Sequence, residues 1–139
     1  MNWKHFTLEE MVRSETAAKF SIDNTPGEWE KKNLDKLVTN LLDPLREAWG
    51  APIGVNSGYR CYTLNQMVGG AKKSQHLSGK AADIRPIGRS FDEFKKFLVE
   101  WLKDKDFDQC IIEMSKTSRW IHISYDETRN RRKIFSITK

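Results

Sequence analysis

Between Trp29 and Trp49, apolar side chains recur at three- and four-residue spacing, with Leu34, Leu37, Val38, Leu41, Leu42 and Leu45 in between. That spacing is the apolar stripe of an amphipathic helix. Thr25-Pro26-Gly27-Glu28 just ahead has the form of a capping box with proline at the first helical position. Pro44 lacks an amide hydrogen, so it should kink or divide this helix, and Gly50 with Pro52 should end it. Thr7-Leu8-Glu9-Glu10 and Ser90-Phe91-Asp92-Glu93 open two more helices. The second carries Phe91, Phe94, Phe97, Leu98 and Trp101 toward a core.

The pattern then shortens to period two. Strands are predicted at Ile53–Ser57, Ala81–Ile84, Cys110–Met114, Trp120–Ser124 and Lys133–Ile137. Only a Ser/Lys/Thr/Ser turn separates 110–114 from 120–124, so these two read as a hairpin. Helices come first and strands later, without regular alternation. The expected fold class is α+β, a small antiparallel sheet with helices packed on it. At 139 residues, one domain spanning 1–139 is expected.

Composition adds exclusions. With 38% apolar and 31% charged residues the chain can bury a core, which argues against disorder. No segment has the run of about 18–20 apolar residues that a membrane span needs. Met1-Asn2-Trp3-Lys4-His5-Phe6 has no apolar run of signal-peptide length, so synthesis in the cytoplasm is expected. Cys61 and Cys110 are too few for a disulfide framework and read as free thiols, Cys110 in the core. The net charge of +5 concentrates at Arg119, Arg129, Arg131, Arg132 and Lys133. The Arg129–Lys133 run follows Asp126 and Glu127 and reads as a solvated hairpin turn. No nucleic-acid-reading motif accompanies it, and no nucleic-acid partner is expected.

Two of the three histidines stand in contexts that suit a metal. In Ser74-Gln75-His76-Leu77-Ser78-Gly79-Lys80-Ala81-Ala82-Asp83, the alternation of a strand puts Asp83 and Ala81 on one face. Gly79 lets the chain turn so that His76 returns over Asp83. In Trp120-Ile121-His122-Ile123-Ser124, His122 faces away from the two isoleucines. Two imidazoles and a carboxylate would make a three-ligand zinc site with an open fourth position, the form of catalytic sites. The spacing alone leaves the other reading open, that these are ordinary hydrogen-bonded histidines. His5 has no motif around it and reads as a surface residue.

Ser74-x-His76-x-x-Gly79-x-Ala81-x-Asp83 followed by Trp120-x-His122 resembles the zinc signature of a peptidoglycan peptidase family. It is that of the D-alanyl-D-alanine carboxypeptidases and L,D-endopeptidases, the M15 group. Ser57-Gly58-Tyr59-Arg60, Leu64-Asn65, Val68-Gly69-Gly70 and the opening Phe6-Thr7-Leu8-Glu9-Glu10-Met11 resemble it too. The likeness is to short phage and bacterial members and runs from about Phe6 to Ser124. It implies one zinc ion at the sheet face, held by His76, Asp83 and His122. It implies Arg60 in the site on the scissile carbonyl oxygen, where an always-charged planar donor suits developing negative charge. Ser74 would hydrogen-bond substrate or the groups around the metal.

Many relatives carry a carboxylate three residues before the last histidine, where this chain has Arg119. Glu113 is the substitute, brought beside His122 by the hairpin, to take a proton from the attacking water and pass it to the leaving amine. Its alternative is an edge-strand glutamate balancing Arg119. Gln109 is a further pocket candidate. The expected function is zinc-dependent hydrolysis of an amide bond in a peptidoglycan stem peptide, D-alanyl-D-alanine or related, by a monomer. A phage or prophage lysis enzyme fits cytoplasmic synthesis. The alternative is a zinc-stabilised module that binds cell-wall peptide without cutting it.

Overall fold

The computed structural model describes residues 2–139. Thr7 opens α1 (Leu8–Val12) with the expected box: its hydroxyl accepts from the Glu10 amide at 3.1 Å, and the Glu10 carboxylate accepts from the Thr7 amide at 3.0 Å. α2 (Glu15–Lys19) follows, capped by the Ser14 hydroxyl. The box expected at Thr25 does not form. α3 (Glu28–Leu37) has Gly27 as its N-cap, while Thr25 gives its amide and hydroxyl hydrogens to Asp23 Oδ1 at 3.0 and 2.6 Å. A carboxylate two residues upstream competes locally for the cap.

Pro44 divides the long helix as expected. Residues Val38–Leu42 widen into a π turn in which the Asp43 amide reaches the Val38 carbonyl, and α4 (Asp43–Trp49) resumes with Pro44 in its first turn. Gly50, at φ +76°, ends it. β1 (Ile53–Ser57), α5 (Tyr62–Met67), a 3-10 turn (Gln75–Ser78) and β2 (Ala81–Pro86) come next. α6 (Phe91–Trp101) leads through a second 3-10 turn to β3 (Gln109–Met114), β4 (Arg119–Ser124) and β5 (Lys133–Thr138).

The strand order is β1-β2-β4-β3-β5. Neighbours among the first four are antiparallel, but β5 lies parallel to β3. The sheet is therefore mixed, which corrects the antiparallel expectation. The cause lies in residues 125–132, which cross the end of β3 instead of folding back as a hairpin turn. Buried Asp108 anchors them: it accepts from the Arg131 amide at 3.0 Å and from Nε and Nη2 at 2.8 Å each. The Arg132 and Lys133 amides then bond the Phe107 and Asp108 carbonyls, and β5 starts in parallel register.

One sheet face meets the helices. Ala82, Ile84, Ile112, Ile121 and Ile123 share a buried core with Leu34, Leu37, Leu41, Phe94 and Leu98. Full burial of each large side chain stabilises by about 1.5–3 kcal/mol, before the entropy of ordering the chain is set against it. Cys110 lies in this core as a free thiol, its pKa pushed up to about 12 by burial. The alternate side chains, including Asp83, His122, Ile111 and Glu113, point to the other face. A bulge in β1 matters there: Val55 opposes Ile84, yet Ser57 opposes Asp83, so the extra residue Asn56 turns Ser57 toward that face. Among the described residues, no helix is long and apolar enough to cross a membrane.

Candidate metal centre and its cavity

Gly79 makes the turn that carries His76. It sits at φ +75°, and a Cβ there would lie 2.5 Å from the Glu30 carbonyl oxygen of α3. Ser74 caps the 3-10 turn, its hydroxyl accepting from the His76 amide at 3.2 Å. The turn returns the imidazole over Asp83, with Nε2 3.2 Å from Oδ1. His122 is the cross-strand partner of Asp83 and brings Nδ1 to 3.3 Å from the same oxygen. The three are 3%, 8% and 9% exposed for His76, Asp83 and His122, so water cannot separate them freely.

Hydrogen-bond partners assign the ring hydrogens. His76 Nδ1 lies 2.6 Å from the Gly58 carbonyl, which can only accept, so Nδ1 carries the hydrogen. His122 Nε2 lies 3.2 Å from Gln75 Oε1. The Gln75 amide nitrogen donates to Asp108 at 2.7 Å, so its oxygen must face the histidine and Nε2 is the donor. In neutral rings, His76 Nε2 and His122 Nδ1 are then lone pairs aimed at a carboxylate. Three acceptors, all within 4.8 Å of one another, repel unless a cation lies among them. Two imidazole nitrogens and a carboxylate oxygen are a zinc donor set with room for a fourth ligand. Burial opposes the Asp83 charge, but once the two imidazoles are protonated, their charge and hydrogen bonds outweigh it and hold the carboxyl below its usual range.

The support behind His122 is not legible in the sequence. Arg131 holds Asp108, Asp108 holds Gln75, and Gln75 orients the imidazole. The Arg131 hydrogen bonds keep the Asp108 carboxyl down at about 2, against the cost of its burial. Gln75 stands beside a motif histidine, which was the one local signal. Nothing in the chain pointed to Asp108 or Arg131 as its partners.

Arg60 is brought to the same place. Its Nε donates to Ser57 Oγ at 2.9 Å, Nη1 to Asn65 Oδ1 at 2.9 Å, and Nη2 to Asp83 Oδ2 at 3.5 Å. Asn65 is itself set by donating to the Ala71 carbonyl. Gly70 makes room, since a Cβ there would come within 2.7 Å of Arg60 Nη1. Burial lowers the Arg60 pKa, and the charges of Asp83 and Glu113 resist that shift.

Arg60, Ser74, Gln109, Glu113 and the three metal-type residues line one cavity of about 270 Å³. Glu113 is not directly opposite His122: it pairs with Trp120, while Ile111 faces His122. It is one pair further along on the same face, 6% exposed, with Lys139 Nζ 2.7 Å from Oε1. Arg119 does not balance it. That residue points to the opposite sheet face, where it pairs with Asp92 at 2.9 Å and lies over the Phe91 ring. His5 sits apart and pairs with Glu47.

Comparison with known proteins agrees with this geometry. A family profile described as Peptidase M15 matches residues 4–124, which contain every residue of the metal trio together with Arg60 and Glu113. One relative is a zinc D-Ala-D-Ala carboxypeptidase of Streptomyces albus G, 50% identical over 51 residues. That match covers 36% of this chain and only 20% of the relative, so it likens a segment and not whole proteins. The family match spans most of the chain, and its residues fold into a site of three converging metal-type donors: the chain belongs to the peptidase M15 family.

Proposed function

We propose that this chain is a zinc peptidase hydrolysing an amide bond in peptidoglycan stem peptides, within one domain over residues 1–139. The observation that carries the reading is the convergence of His76, Asp83 and His122 in a cavity shared with Arg60 and Glu113. Zinc, when bound, supplies a Lewis acid that polarises the carbonyl and makes water a stronger acid. His76 and His122 offer their lone-pair nitrogens, and Asp83 adds charge. Arg60, braced by Ser57 and Asn65, offers its fork to the carbonyl oxygen as negative charge develops there. Glu113 accepts a proton from the attacking water and returns it to the leaving amine. Ser74 and Gln109 line the cavity and supply polar contacts to the peptide.

A D-alanyl-D-alanine bond is the specific substrate we propose, and the name of the Streptomyces relative supports it. Cleavage as a carboxypeptidase or endopeptidase by a monomer, in a phage or prophage lysis setting, completes the reading. The Lys139–Glu113 ion pair favours a second reading, a zinc-stabilised binder of wall peptide that does not cut. Digestion of purified peptidoglycan with zinc-loaded protein, followed by mass analysis of the fragments, decides between them. New amine and carboxyl termini at one stem-peptide bond are expected. Tight binding without fragments selects the second reading.

A further inference from the structure

Arg60 lines two depressions. Besides the metal cavity, it borders a groove of about 510 Å³ that runs along β1 and reaches Arg13 and Arg85. Arg85 follows Asp83 by two residues on β2 and so shares its sheet face. The residue opposite is Gly54, and a Cβ there would lie 2.8 Å from the Arg85 guanidinium carbon. The bare Gly54 leaves room for the guanidinium to lie across β1, where Nη1 donates to Asn56 Oδ1 at the bulge. Arg13 enters from the junction of α1 and α2.

Two of the charges in this groove, Arg13 and Arg85, have no ion-pair partner among the described residues, while Arg60 pairs with Asp83. Among the described residues, no carboxylate lies within 4.0 Å of Arg13 or Arg85. Elsewhere Arg89, Arg119, Arg131 and Arg132 each pair with one, while Arg46 and Arg129, like Arg13 and Arg85, have none among the described residues. Glu15 is the one acidic lining residue against three guanidiniums. Planar forks recognise carboxylates in two-point fashion, and the groove shares Arg60 with the candidate site. It has no aromatic lining on which nucleic-acid bases could stack.

Resting on the peptidase reading above, we infer that this groove is a subsite for a carboxylate that the substrate peptide carries away from the scissile bond, bound by Arg13 and Arg85. The substrate then lies across Arg60, with the bond to be cut on the metal side and the acidic residue along β1.

The test uses zinc-loaded full chain and two synthetic stem pentapeptides. One has the free α-carboxylate on its D-glutamyl residue, and the other has that group amidated. Binding is measured by calorimetry and cleavage by mass analysis, for wild type, Arg13→Gln and Arg85→Gln, with zinc content as the folding control. Wild type should bind the free-acid peptide about 10-fold or more tightly than the amide, and each variant should lose most of that preference. Equal affinity for the two peptides in wild type, or a preference unchanged in both variants, overturns the subsite. Cleavage with no such preference overturns the subsite and leaves the peptidase reading standing. An arginine-dependent preference without any cleavage supports the subsite and sinks the peptidase reading.

Discussion

Arg60 makes three hydrogen bonds to Ser57, Asn65 and Asp83, so its guanidinium is held at the cavity wall before any substrate arrives. If it binds the carbonyl oxygen in the transition state, Arg60→Ala should lower turnover by about 10²–10³-fold while zinc content is unchanged. Arg60→Lys should recover only part, because an ammonium cannot reproduce the fork. Wild-type kinetics in Arg60→Ala would reduce the residue to a brace for Asp83. Glu113 is tested by Glu113→Gln, which keeps the shape and removes the basicity. Turnover should fall by roughly 10²–10⁴-fold, with zinc and peptide still bound. A Glu113→Gln protein that cuts as fast as wild type ends its role as base. The identity of Glu113 as candidate was legible from the hairpin spacing. Its ion pair with Lys139 was not, because 26 residues separate the two and β5 brings them together.

Among the elements, the 3-10 turn and its terminal glycine decide whether His76 reaches Asp83. Gly69 and Gly79 have nearly the same backbone, φ +74° and +75°, but different surroundings. Nothing lies within 4 Å of a Cβ built on Gly69, whereas one on Gly79 would strike the Glu30 carbonyl at 2.5 Å. Gly69→Ala should therefore cost about 1–2 kcal/mol, the left-handed strain alone. Gly79→Ala carries the same strain plus displacement of the turn from α3, so it should lose more stability and weaken zinc binding as well. Thermal melts with and without zinc measure both effects. Equal losses in the two variants would show that the α3 contact does not set the turn. The capping boxes teach the same lesson about elements. Thr7 and Ser90 cap as their sequences imply, but Thr25 is taken by Asp23, a competitor the box pattern does not weigh.

For the whole molecule, the Asp108–Arg131 pair ties β5 to β3 and, through Gln75, to the candidate metal site. Because the folded pKa of Asp108, about 2, lies below its ordinary 3.8, its stabilisation is fully present above about pH 4. It is lost as pH falls through about 2. The sum is roughly 2 kcal/mol. Asp108→Asn should be less stable at neutral pH and should show a shallower loss between pH 4 and 2 in denaturant melts. Some acid dependence will persist, since Asp83 is also held below its usual range. An unchanged acid profile in Asp108→Asn would remove the pair from the stability of the fold. By itself, the sequence determined what arises within a turn or a strand: the amphipathic stripe, most caps, the break at Pro44, strand positions, and the placing of Asp83 and His122 on strand faces turned away from the apolar neighbours. Tertiary structure alone decided the parallel course of β5, the register that sets Glu113 beside Trp120, the bulge that turns Ser57 inward, and the Arg131–Asp108–Gln75 chain behind His122. Local propensity reaches a few residues. Those other features depend on how strands pair and on which distant side chains meet across the fold, which local propensity does not set.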